Sequence, residues 1–122
     1  MTLSIAQIAE AFSRHHFERT YEYFSDTIRW NLVGGEQLAG QAAVTQACAS
    51  SAEYLAGVAT TFTKFRIVVG EGCVVIDSEA TYAEAGQGSS TVASCDLYDF
   101  VDGKLVGITS YTVPLGGSSD TP

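Results

Sequence analysis

One carboxyl is set apart by its company. Asp96 alternates with Tyr98 and Phe100, and the period of two in an extended chain puts all three on one face of a strand. If that face points inward, the carboxyl lies among aromatic rings, favours its neutral form, and can act as an acid or a hydrogen-bond donor. The opposite register turns Cys95, Leu97 and Val101 inward and leaves Asp96 in water. A slip of one residue separates the two outcomes. Asn31 is the second candidate. It stands among Ile28, Trp30 and Leu32, and from inside a pocket its amide would orient a water or a ligand carbonyl. From the other face it would simply meet solvent while its neighbours pack.

Other polar groups carry weaker signals. Asp77 and Glu79 share a strand face with Thr81; paired carboxylates do acid–base work only where they line a pocket, and a solvated outer face is the simpler account. His15 and His16 fall at a break between two helical segments, where one imidazole could lean over a cavity mouth as a base or lie exposed on a loop. Cys48, Cys73 and Cys95 are odd in number, lack a CxxC spacing and sit in apolar stretches, which reads as buried free thiols in a reducing compartment. No cluster has metal-ligand spacing, and no phosphate loop, nucleophile elbow or dinucleotide fingerprint occurs, so neither metal nor cofactor is expected.

The elements that must position these groups change period midway. Ser4 and Gln7 form a capping box before Ile5, Ile8, Ala9 and Phe12, one apolar stripe of a helix. Phe17, Tyr21 and Phe24 continue at helical spacing. Thr27–Val33 reads as a strand, Gly34-Gly35 as a turn, Glu36–Ala39 as a short strand, and Gln41–Leu55 as a further helix. From Thr60 the period is two. Strands are expected over Thr60–Val69, Cys73–Ala85, Ser90–Phe100 and Lys104–Val113, with Asp102-Gly103 as a hairpin turn. Pro114 is expected to end the last strand, leaving residues 116–122 as a flexible tail behind a single domain over residues 1–115. Helices followed by long antiparallel strands give an α+β architecture. Such strands curl as they twist. A helix over the concave side of a curled sheet makes a cone with a pocket at its open end.

Bulk properties bound the partners. The chain of 122 residues has 14 acids against 6 bases and a formal charge of -8, which repels nucleic acid and anionic lipid. Nothing near Met1 reads as a signal peptide and no apolar run approaches a membrane span, so a cytoplasmic protein is expected.

Phe24-Ser25-Asp26, Trp30-Asn31-Leu32-Val33-Gly34, the helix opened by Gly40, the run from Tyr98 to Leu105 and Tyr111 together resemble the nuclear transport factor 2-like superfamily, in particular its SnoaL-like branch. The resemblance implies a cone-shaped fold with a curved mixed or antiparallel sheet wrapped around N-terminal helices. It also implies homodimers and a pocket used by isomerases, dehydratases, cyclases, epoxide hydrolases and plain binders. Against ketosteroid isomerase relatives, the general base falls on Asn31, a helical tyrosine on Ile8, and the hydrogen-bonding acid on Asp96. Against limonene epoxide hydrolase relatives, Asn31 fits an asparagine and Asp77 an aspartate. The arginine of that set falls on Val75, and its last acid on Ser110 or Val113.

Two functions follow. One is cofactor-free acid–base chemistry on a small hydrophobic molecule, with Asp96 and Asn31 as the chemical groups and Tyr98, Phe100, Trp30, Phe12, Ile8 and Tyr21 as ligand contacts. The other is a non-catalytic binding or dimerisation module, with Thr61, Thr63 and Phe65 or their alternates on the outer face of the sheet.

Overall fold

In the computed structural model of the chain, which describes residues 2–117, helix α1 (Ile5–Ser13) begins at the expected capping box. The Ser4 hydroxyl accepts from the Gln7 amide and the Gln7 side chain accepts from the Ser4 amide. The helix ends in a Schellman turn. The His15 amide donates to the Phe12 carbonyl at 2.9 Å, the His16 amide donates to that of Ala11 at 2.8 Å, and His15 takes a left-handed φ of 71°.

The second helical stretch does not form as expected. Two short 3-10 turns, Phe17–Arg19 and Tyr21–Tyr23, replace it, and strand β1 (Phe24–Leu32) starts before Thr27. Thr20 supplies a physical reason. Its buried hydroxyl donates to the Phe17 carbonyl at 2.6 Å, a local bond that competes with the helical ladder. A turn then leads to β2 (Gln37–Ala39) and to helix α2 (Gln41–Leu55). Gly40 makes the tight entry to α2 with a φ of 94°, which glycine alone adopts cheaply.

Strands β3 (Val58–Gly70), β4 (Cys73–Glu84), β5 (Gly88–Val101) and β6 (Lys104–Gly117) form an antiparallel meander. Asp102 and Gly103 both have positive φ, as a type I′ hairpin requires. Strand β6 runs through Pro114 rather than ending there, so positions 116–117 of the expected tail are strand. The rest of that tail, 118–122, lies outside the described residues. The sheet order is β2-β1-β6-β5-β4-β3, with β1 parallel to β6 and every other pair antiparallel. The result is an α+β cone: a curved, unclosed sheet holding the helices in its hollow.

Bulges bend the sheet. One between Phe62 and Lys64 shifts the alternation of β3. Phe62 and Phe65 therefore share the concave side, their rings 5.3 Å apart, and Phe65 is not on the outer face. Within the hollow, Ile8, Ala9 and Phe12 of α1 pack on Val74, Ile76, Tyr98, Leu105 and Ile108 of the sheet. The Phe12 ring lies 5.0 Å from Phe17, 5.1 Å from Trp30 and 5.7 Å from Tyr98, edge-on in each case. Among the described residues, no helix is long and apolar enough to cross a membrane.

Emptying that centre is expected to be severe. Phe12→Ala should cost about 3–5 kcal/mol of a total stability of roughly 5–15 kcal/mol, measured by urea denaturation. A loss below about 1 kcal/mol would mean that α1 is not held by this ring.

Candidate functional site

Strand β5 turns its even-numbered side chains inward. Asp96 lies between Ile76 on β4 and Ser110 on β6, and Tyr98, one step further along the same face, is fully buried. The last residue of α1 meets this row. The Ser13 hydroxyl donates to Asp96 Oδ2 at 2.9 Å and lies 2.5 Å from the Tyr98 hydroxyl. On the other side, Trp30 Nε1 donates to Ser110 Oγ at 3.0 Å, and Ser110 is the cross-strand partner of Asp96.

One arrangement of protons satisfies every group. Tyr98 donates to Ser13, which donates to Asp96, while Trp30 donates to Ser110. A chain of donors thus ends on the carboxyl. Burial raises the Asp96 pKa above the ordinary carboxylate value, and the neighbouring hydroxyls, Ser13 among them, pull it partly back. The Tyr98 phenol is pushed well above its usual range by burial and by the neighbouring Asp96. It therefore stays protonated and can only feed the chain.

The carboxyl opens on a cavity of about 220 Å³ whose walls include Phe12, Trp30, Leu55, Asp96, Ser110 and His15. This is below the roughly 300–1,000 Å³ of sites for drug-sized ligands, so the fit is to a smaller molecule. His15 is half-buried at the mouth. Its ring lies 5.8 Å from those of Phe17 and Phe62 and 6.1 Å from that of Tyr82. Burial, and then the charge of His16, lower its pKa, so it is neutral at pH 7.

Of the residues expected from sequence, the cavity brings together Asp96, Trp30 and Phe12. Tyr98 reaches it only through its bond to Ser13. Ile8 and Phe100 are core side chains at the filled end of the cone. Tyr21 borders a separate outer groove with His16 and Arg19. Asn31 is not a pocket amide: β1 buries Ile28 and Trp30 and turns Leu32 to the cavity, so the alternation points Asn31 to the convex side. The same parity removes Asp77, which pairs there with Lys64 and Arg66 at 3.2 and 3.4 Å. Ser13 and Ser110 gave no chemical signal of their own in the sequence, and His15 was visible only as half of a histidine pair at a helix break. The three cysteines are free; burial pushes the Cys48 thiol up to about 12, which makes it inert. Among the described residues no group of three His, Cys, Asp or Glu side chains could hold a metal ion.

Comparison with known proteins places this geometry. The family model of the SnoaL-like domain matches residues 5–108. No curated protein matches the sequence. Among solved structures, the chain is similar to an NTF2-like protein of unknown function from Cytophaga hutchinsonii. That pair has a TM-score of 0.78 and 30% identity, covering 87% of this chain and 93% of the other. An NTF2-like protein from Anabaena variabilis gives a TM-score of 0.72 at 12% identity, covering 98% of both chains. An LEH-like epoxide hydrolase from M. tuberculosis gives 0.66 at 16% identity, covering 88% of this chain and 81% of that one. At such identities the last two show a shared fold alone.

The Asp96 environment has a thermodynamic consequence. A carboxyl whose pKa is raised on folding stabilises the fold fully below its unfolded value, and that contribution is lost as pH rises through the folded value. Asp96→Asn cannot ionise. Its stability relative to the parent should therefore increase between about pH 3.8 and neutrality, measured by urea denaturation across that range. A difference that is flat, or that moves the other way, would show that the carboxyl is not enclosed as described.

Proposed function

The chain belongs to the SnoaL-like domain family, and from that membership we propose that its cavity binds a small apolar carbonyl compound with Asp96 donating a hydrogen bond to the carbonyl oxygen. One observation carries the reading: a carboxyl raised towards its neutral form stands in the wall of a cavity that also presents aromatic rings, and the Ser13 hydroxyl holds it in place. With Ser13 already donating to it, the carboxyl offers its own proton to whatever fills the space. An oxygen acceptor on an apolar body satisfies that proton. A hydrocarbon leaves it unpaired, at a cost of about 1–3 kcal/mol. Phe12, Trp30, Phe17 and Leu55 supply apolar walls for the body of such a ligand.

Trp30 is the single tryptophan of the chain and lines the cavity, so its fluorescence is a local reporter. Titration with 1-indanone, corrected for absorption by the ketone, should quench it saturably. Affinity should fall about tenfold or more as pH rises through the Asp96 titration, because the ionised carboxyl no longer donates. Asp96→Asn should bind with an affinity independent of pH. Quenching without saturation would remove the cavity as a binding site, and an unaltered pH dependence in Asp96→Asn would remove Asp96.

We also infer a homodimer formed through the convex face of the sheet. Tyr111 and Val113 are exposed there at 47% and 55%, next to Cys95 and Ala93 of β5, and a second copy would cover this apolar strip. Light scattering at micromolar concentrations should give twice the chain mass. A particle of one chain mass would contradict it.

A further inference from the structure

Resting on the reading that the cavity holds a small apolar ketone, we propose that His15 sets the length of that ligand, its ring being the partition between the Asp96 cavity and the grooves around it. Four concavities among the described residues converge on this one side chain. The Asp96 cavity has it in its wall. So do a groove lined by Arg14, Leu55 and Phe62, a second lined by Phe17, Arg19 and Tyr21, and a third lined by Ser51, Tyr54, Leu55 and Tyr82. The ring itself stands at the junction. Its centroid lies 5.8 Å from those of Phe62 and Phe17 and 6.1 Å from that of Tyr82, so it meets one wall residue of each groove.

The backbone shows how the ring is delivered there. His15 is the left-handed residue of the turn that ends α1, with a φ of 71°, and two amide bonds close that turn. Glycine takes such a position without strain, whereas a residue with a Cβ takes it at a cost. In return for that cost a large flat ring is held at the open end of the cone, where glycine would leave a gap.

The groove beside Tyr82 is the one that continues the cavity. Besides His15, the two share Ser51 and Leu55 of α2. The groove beside Phe62 shares only Leu55 with the cavity in addition to His15, and the groove beside Tyr21 only Phe17. With its carbonyl at Asp96, a short ketone lies wholly on the inner side of the ring. A longer alkyl chain meets the ring, and its further methylenes are left in water, where they add no affinity. Without the ring the same chain enters the groove between Tyr54 and Tyr82, and each methylene buried there adds about fourfold in affinity. Bulk at position 15 is what counts, and neither ring nitrogen takes part.

The test measures the affinities of the straight-chain 2-alkanones from 2-butanone to 2-decanone for the full chain by isothermal titration calorimetry. In the parent, affinity should rise with each methylene and then level off within the series. His15→Gly suits the left-handed turn, and His15→Asn also tolerates it; both should bind the shortest ketones as the parent does. In both, the rise should continue to 2-decanone, which should gain about tenfold or more over the parent. His15→Phe, which keeps the bulk and removes the imidazole, should level off where the parent does. Levelling at one chain length in the parent, His15→Gly and His15→Asn overturns the proposal, as does a parent whose affinity rises through the whole series. An extension confined to His15→Gly also overturns it, because a loosened turn rather than a missing ring would then be the cause. In each of these cases binding of the short ketones leaves the cavity reading standing. No binding of any ketone to any of the four proteins removes both.

Discussion

Phe12 meets Phe17, Trp30 and Tyr98 edge-on at 5.0–5.7 Å, inside the hollow of a six-stranded sheet. Each aromatic pair of this kind adds about 0.5–1.5 kcal/mol beyond the area it buries. The arrangement also fixes where α1 stops. With Ile8, Ala9 and Phe12 seated on the sheet, Ser13 is delivered to Asp96 and the turn that follows is left at the open end of the cone. A helix anchored less firmly would place neither the Ser13 hydroxyl nor the His15 ring. The chemistry of the cavity is thus set by packing one turn earlier.

Two aspartates on neighbouring strands show how parity decides fate. Asp96 on β5 faces in, where burial outweighs the hydroxyl donors and raises its pKa. Asp77 on β4 faces out, within reach of Lys64 and Arg66, where exposed ion pairs contribute roughly 0–1 kcal/mol. Their residue type is the same and their backbones are paired strands, but only Asp96 is pushed towards its neutral form. Enclosing it costs stability as pH rises through its folded titration. The donor chain from Tyr98 through Ser13 fixes its position without removing the penalty, an arrangement of the sort that recurs where a carboxyl is kept for use.

Much of the fold was legible because its signals are local. The Ser4–Gln7 box, the bounds of α2 at Gln41 and Leu55, and the Asp102-Gly103 turn all rest on near neighbours. The inward face of Asp96 followed from its sharing a period of two with Tyr98 and Phe100. The misses have non-local or competing causes. Thr20 caps the Phe17 carbonyl and breaks a helix that spacing alone favours. A bulge moves Phe65 across the sheet, and no single-strand pattern reveals a bulge. Asn31 looked chemically apt but had the wrong parity. Ser13 and His15 gained their meaning only when the end of α1 met β5, a contact between residues more than eighty positions apart.

A gradient along the inner face explains why the cone is filled at one end and hollow at the other. Strand β5 presents Ser94, Asp96, Tyr98 and Phe100 in sequence, and β6 beside it presents Thr112, Ser110, Ile108 and Leu105. Large apolar side chains close the end where Ile8 and Val74 complete the core. Small hydroxyl-bearing ones, too short to meet across the hollow, leave the cavity bounded by Ser94, Ser110 and Thr112. Asp96 is the residue at the crossing from one regime to the other. Its carboxyl is enclosed enough to favour the proton and open enough to present it. The rings of Phe12, Phe17 and Trp30 and the hydroxyls of Ser94, Ser110 and Thr112 thus meet in one cavity wall, with the carboxyl where the two kinds of lining join.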